Sequence, residues 1–152
     1  METSGGGDGQ PRRPSYRLRS KVYPDKYRFW MRHEEGSAVK TVTIKERSGI
    51  TLIDVLTVDP GDQDQLVKIL AEAAETTLRH MPGYISSVIH KSVDGRKVTS
   101  YEQWARLEDF EAMFQHPEVR QWVDRVGEIA RAEASLYTVE YVDSNVRTKA
   151  PG

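Results

Sequence analysis

The sequence predicts an α+β fold: a ferredoxin-like β-α-β-β-α-β plait with an antiparallel sheet and its helices on one side. Two observations carry the prediction. Short runs of β-branched and aromatic residues alternate with stretches whose apolar residues recur at i, i+3 and i+4, with Gly, Pro and Asp between them. Their order, strand, helix, strand, strand, helix, strand, is that of a split βαβ unit.

The elements follow in chain order. Ile50–Val58, ITLIDVLTV, reads as the first strand. Asp59 then caps a helix with Pro60 at its first position, running to about His80. Leu66, Leu70, Ala73, Ala74 and Leu78 give it an apolar stripe, and Met81-Pro82-Gly83 stops it. Tyr84–Ser92 is the second strand, and Asp94-Gly95 marks the hairpin turn at Val93–Lys97. Val98–Trp104 is the third strand. After Trp104 the period changes, and Phe110, Met113 and Phe114 line one face of a helix with Glu108 and Asp109 in its first turn. His116-Pro117 opens a further helix with Val119, Trp122, Val123, Val126 and Ile129 on one side, and Ala134–Val142 is the last strand. The sheet face away from the helices then carries Ile53, Val55, Ile85, Ile89, Tyr101 and Val139. That set is too apolar to face water, and a second copy of the chain is its simplest cover. A homodimer is therefore expected.

The 152 residues suit one domain with extensions. Residues 1–48 form a basic, aromatic-containing extension, residues 49–143 the domain, and residues 144–152 a polar tail. Residues 1–15 are Gly/Pro-rich and expected to be disordered; residues 16–37 mix aromatic and basic side chains and are expected to dock. Val39–Glu46 alternates weakly, as an extra edge strand would. The extension holds 11 Lys and Arg against 6 Asp and Glu, and the remainder 11 against 17. Such an arm on an acidic body lies against that body or a partner subunit's; no nucleic-acid motif accompanies it, so nucleic acid is not an expected partner. No apolar run is long enough for a membrane span, and no signal-type apolar stretch opens the sequence. With no cysteine, thiolate metal sites and disulfides are excluded and a cytoplasmic setting is expected. The four histidines, His33, His80, His90 and His116, have no metal-site spacing, and no metal is expected.

Side chains alternate along a strand, so Val98, Ser100, Glu102 and Trp104 share one face of the third strand. A hydroxyl, a carboxylate and an indole in a row are an odd set for a plain core. On the first strand Asp54 alternates with Leu52 and Leu56 and so points to a face that should be apolar. A carboxylate there needs a partner, such as Arg125 on the last helix, or its pKa rises. Glu102 sits toward the sheet edge, where solvation is the plain alternative to a role in the site. His90 has the parity of Tyr84, Ser86 and Val88 and is expected to look into the same space. Phe110 and Met113 are wall or core.

ITLIDVLTVDPGDQDQLV, MPGYISSVIHKSVDG and VTSYEQWARLEDFEAMFQHPEV make residues 50–142 resemble the antibiotic biosynthesis monooxygenase family of dimeric α/β-barrel proteins. The resemblance implies a pocket between sheet and helices in which a deprotonated aromatic substrate passes electrons to dioxygen, with no metal or flavin. Family oxygenases place one Asn four residues before the Trp and another in the first strand; here Ser100 and Asp54 stand there, and the Trp is Trp104. Haem-degrading relatives use that first-strand Asn, a second Trp and a His, where this chain has Asp54, Met113 and Val123, so no haem is expected. The reading is a cofactor-independent monooxygenase acting on an aromatic polyketide or related phenol. Asp54 is its base, Ser100 a donor to the enolate and Trp104 the platform for the ring. His90, Glu102, Phe110, Met113 and Arg125 line the substrate site. The alternatives are a cyclase or isomerase using Asp54 and Glu102 as an acid–base pair, and a dimeric ligand-binding or accessory protein without catalysis.

Overall fold

The first strand, β1 (Ile50–Val58), is rich in β-branched residues and takes an interior place in a four-stranded sheet. The computed structural model describes residues 40–145. After β1 come helix α1 (Gln63–Thr76), a 3₁₀ turn (Leu78–His80), strands β2 (Tyr84–Lys91) and β3 (Lys97–Trp104), helices α2 (Leu107–Met113) and α3 (Pro117–Gly127), and strand β4 (Ala130–Tyr137). The strand order is β2-β3-β1-β4, all antiparallel, which is the plait expected from the sequence. The expectations for residues 1–39, and for the tail beyond residue 145, lie outside the described residues.

Four details differ from the sequence reading, each for a local reason. The first helix starts at Gln63, because the Asp62 N–H turns back onto the Asp59 carbonyl at 2.9 Å before the helix begins. It ends at Thr76, and its last expected turn is 3₁₀. The last strand is Ala130–Tyr137, not Ala134–Val142. Its sequence, ARAEASLY, has small side chains where a strand usually shows large ones, so only the backbone ladder to β1 identifies it. Residues 40–46 form no edge strand. They meet the outer face of the sheet instead, where Gln103 Nε2 donates to the Thr43 carbonyl at 3.1 Å.

Two apolar clusters fill the space between sheet and helices. Leu52, Leu78, Trp104, Phe110, Met113 and Val119 make one. Leu56, Val58, Leu66 and Val98 make the other, with Leu70, Ile89 and Val126 against it. Leu56, Leu66 and Val98 are wholly buried, each contributing about 1.5–3 kcal/mol by leaving water. Polar ties fix the frame around them. The buried Gln63 amide donates to the Lys97 carbonyl at 2.8 Å and to the Ser92 carbonyl at 3.0 Å, which anchors the β2–β3 hairpin to the start of α1. Trp122 Nε1 donates to Thr77 Oγ1 at 2.9 Å, joining α3 to the end of α1.

A β-bulge between Tyr84 and Ser86 shifts the register of β2. Tyr84, Ser87, Ile89 and Lys91 oppose the helix-facing residues of β3, while Ser86, Val88 and His90 oppose Gln103, Tyr101 and Thr99 on the other face. Ile89 therefore belongs to the core, Ile85 lies at the bulge, and Val139 falls beyond β4. Ile53, Val55, Val88 and Tyr101 remain as the apolar part of the outer face.

Candidate active site

The two apolar clusters are separated on the sheet by a polar belt. Along β1 the helix-facing residues run Leu52, Asp54, Leu56; along β3 they run Trp104, Glu102, Ser100, Val98. Asp54 is directly opposite Ser100 in the β1–β3 ladder, and Leu52 is opposite Glu102. Strand alternation thus brings Asp54, Ser100 and Glu102 onto one face, between two patches of hydrocarbon.

The belt is wired on one side and open on the other. Glu102, 8% exposed, accepts from the Ser100 hydroxyl on Oε1 at 3.2 Å and from Trp104 Nε1 on Oε2 at 3.3 Å. Burial pushes its carboxyl above the usual range, against these two bonds, and the nearby Asp54 carboxylate pushes the same way. Burial also raises Asp54, while a backbone hydrogen bond from Glu133 on β4 opposes the rise. Asp54 Oδ1 is buried with no hydrogen-bond partner among the described residues. An acceptor left in that state costs about 1–3 kcal/mol until a donor reaches it.

The structure brings Asp54, Ser100, Glu102 and Trp104 together and leaves other candidates apart. Glu102 is not a solvated edge residue, because β3 is an interior strand. His90 is exposed and on the opposite face; the bulge breaks the parity that linked it to Tyr84. Arg125 does not pair with Asp54: its guanidinium lies 3.9 Å from Glu72 and over the Trp122 ring at 4.7 Å. Phe110 and Met113 are buried core. Trp104 has no exposed surface, with Tyr84 and Phe110 edge-on at centroid distances of 5.4 and 5.9 Å. A ring that stacks on Trp104 must displace one of them. Tyr84 is the residue that sequence reasoning missed. Burial first, then the Glu102 charge, pushes its phenol above its ordinary range. Its signal in the sequence was the Tyr-Ile-Ser-Ser run, whose bulge alternation alone does not reveal.

The β4 side of the belt carries small side chains. Ala134 lies opposite Asp54, and Ala132 opposite Leu56; both are exposed although they share the helix-facing side of the sheet. On α3, Val119 belongs to one apolar cluster and Val126 packs on the other. Val123 is four residues after Val119 and three before Val126, so helical spacing sets it on the same side, over the belt. It is nevertheless 54% exposed. Small side chains on β4 and an uncovered valine on α3 thus flank the belt on the Asp54 side. A separate surface hollow of about 410 Å³ lies at the far end of the sheet, among Val58, Arg96, Lys97 and Ala130. It contains none of the belt residues.

A four-stranded antiparallel plait with two adjoining carboxyls on its helix-facing side defines a small α+β protein with an enzyme-like site. Comparison with known proteins then fixes the family. The family model described as antibiotic biosynthesis monooxygenase matches residues 49–125. Tetracenomycin-F1 monooxygenase of Streptomyces glaucescens is 37% identical over 81 residues, 53% of this chain and 72% of that protein. The monooxygenase from the gene ActVA-Orf6 of Streptomyces coelicolor, solved with nanaomycin D, superposes with a TM-score of 0.60 at 23% identity, covering 64% of this chain and 93% of that one. A variant of SnoaB, a cofactor-independent oxygenase from Streptomyces nogalater, gives 0.57 at 16% identity, covering 61% and 94%. The chain belongs to the antibiotic biosynthesis monooxygenase family, and it is an enzyme of the monooxygenase class. No helix among the described residues is long and apolar enough to cross a membrane.

Proposed function

We propose that the chain is a cofactor-independent monooxygenase that oxidises an aromatic polyketide or related phenol with dioxygen, and that Asp54 is its base. The observation that carries the reading is the buried Oδ1 of Asp54, unpartnered among the described residues, in a polar belt with Ala134 opposite it on β4. An anthrone-type substrate has a CH₂ whose proton becomes acidic because the resulting anion is delocalised onto a ring oxygen. Asp54 takes that proton. The enolate then gives electrons to dioxygen: one oxygen atom becomes the new carbonyl, and the other leaves as water with the two hydrogens of the CH₂. The belt contributes orientation and fixed dipoles in a site largely shielded from water. A named relative that acts on tetracenomycin F1 and a structural neighbour that holds nanaomycin D support the substrate class.

The site works in a homodimer, in which the outer sheet face of Ile53, Val55, Val88 and Tyr101 is covered by a second copy. The cysteine-free composition suits the cytoplasm. Oxygen uptake with an anthrone, in buffer containing a chelator and no flavin, tests the reaction: one dioxygen consumed per quinone formed is expected. The Asp54 and Glu102 carboxyls also suit an acid–base isomerisation. Product formed without oxygen uptake would select that reading, and binding without any turnover would remove both.

A further inference from the structure

Glu102 is buried, ionisable and not consumed by the mechanism above. Its two oxygens take the only proton of the Trp104 indole and the only proton of the Ser100 hydroxyl. While Glu102 is ionised, Ser100 therefore has no proton to offer anything else. A neutral Glu102 reverses one bond: its own O–H donates to Ser100 Oγ, the indole still donates to the other oxygen, and the Ser100 proton is released. Ser100 is directly opposite Asp54, so the released proton becomes available beside the base.

We propose that Glu102 is a positioning residue that acts in its neutral form, turning the Ser100 hydroxyl outward to donate to the substrate's anionic oxygen. The inference rests on the oxygenase reading and assigns the two carboxyls opposite roles. Neighbouring carboxyls in a poorly solvated site share one proton, and the less buried of the two carries the charge. That one is Asp54, half-buried; Glu102 is the more enclosed. Among the described residues, the other groups around Glu102 do not supply a competing positive charge. From β2 come Tyr84 and, in register, Ser87. The 3₁₀ turn contributes Leu78 to the same cluster, and Arg79 acts on Tyr84. α2 and α3 contribute Phe110, Met113 and Val119. Glu118 at the start of α3 accepts from Thr77, and Asp109 of α2 is paired with Arg106.

The test uses Glu102→Gln and Ser100→Ala in the full chain, with oxygen uptake followed across pH. A glutamine amide reproduces the neutral acid's bonds at every pH: it donates to Ser100 Oγ and accepts from Trp104. The wild type should lose turnover as pH rises through the Glu102 pKa. Glu102→Gln should lack that alkaline loss, its own rate holding level across the interval where the wild type falls. Ser100→Ala should fall by about a hundredfold, the usual cost of one donor to a developing anion, and adding Glu102→Gln to it should change nothing further. A wild type with no alkaline loss, or a Glu102→Gln variant that retains it, overturns the proposal. A second readout needs no turnover and no folded variant at Glu102. The indole N–H resonance of Trp104, assigned through Trp104→Phe, should shift with pH over the interval where wild-type activity falls. A resonance that stays still there also overturns the proposal. Absence of oxygen uptake by the wild type at every pH would instead remove the oxygenase reading, while the resonance still reports the charge on Glu102.

Discussion

Asp54 and Glu102 are the two residues on which the proposed chemistry depends, and both are expensive to keep ionised where they stand. Their raised pKa values set the sign of two measurements. A base must be ionised to act, so kcat/KM should fall as pH drops through the Asp54 pKa, at a pH above the ordinary aspartate range. A profile flat down to that ordinary range would contradict this role. For stability, a carboxyl whose folded pKa is raised binds its proton more tightly in the folded state. Its contribution is fully present below the unfolded pKa and is lost as pH rises through the folded one. Glu102→Gln should therefore gain on the wild type in urea unfolding as pH rises from the carboxylate range, and gain nothing at acid pH. The gain should reach about 1.4 kcal/mol for each tenfold by which folding tightens proton binding at Glu102. At this scale Asp54 was legible in the sequence, because one carboxylate among leucines breaks the strand pattern. The burial of Glu102 was not, because alternation gives the face of a residue but not the place of its strand in the sheet. Arg125 misled for a related reason: its helix face depends on how α3 packs, and that is settled by Trp122 and Val119.

The elements hold the belt in place at the C-terminal end of β3, on both sides of the strand. Gly49, just before β1, has φ of +71°, and a Cβ there would stand 2.1 Å from the Trp104 carbonyl oxygen. Only a residue without a Cβ lets β1 begin so close to the end of β3. On the other side the Ala105 N–H donates to the Gly83 carbonyl at 2.7 Å, and Arg106 closes a bidentate pair on Asp109. Gly49→Ala should cost about 2–4 kcal/mol in urea unfolding, well beyond an ordinary surface substitution, because backbone cannot yield as a flexible side chain does. A loss under about 0.5 kcal/mol, the size of an ordinary surface change, would show that β1 and β3 are not clamped there. Most elements were legible from periodicity and punctuation. The exceptions share a cause: β4 carries alanines where strands usually carry bulk, and the β2 bulge changes the parity that placed His90. Both are set by pairing with a neighbouring strand, which local sequence does not encode.

The whole molecule presents one sheet face to its helices and the other to a proposed second copy. Tyr101→Asp puts a charge at the centre of the outer face and leaves the belt untouched. It should convert a dimer to a monomer in light scattering at micromolar concentration; a wild type already monomeric there would contradict the dimer. The family match spans residues 49–125, and the proposed chemistry rests on the two carboxyls of the belt. The most direct measurement compares steady-state oxygen uptake by the wild type and Asp54→Asn on one accepted phenolic substrate. The substitution keeps the shape of the side chain and removes the base. Turnover should fall by about a hundredfold or more, the usual contribution of a general base. An Asp54→Asn enzyme as fast as the wild type would show that the belt holds the enolate without taking its proton, and would contradict the role of Asp54 as base.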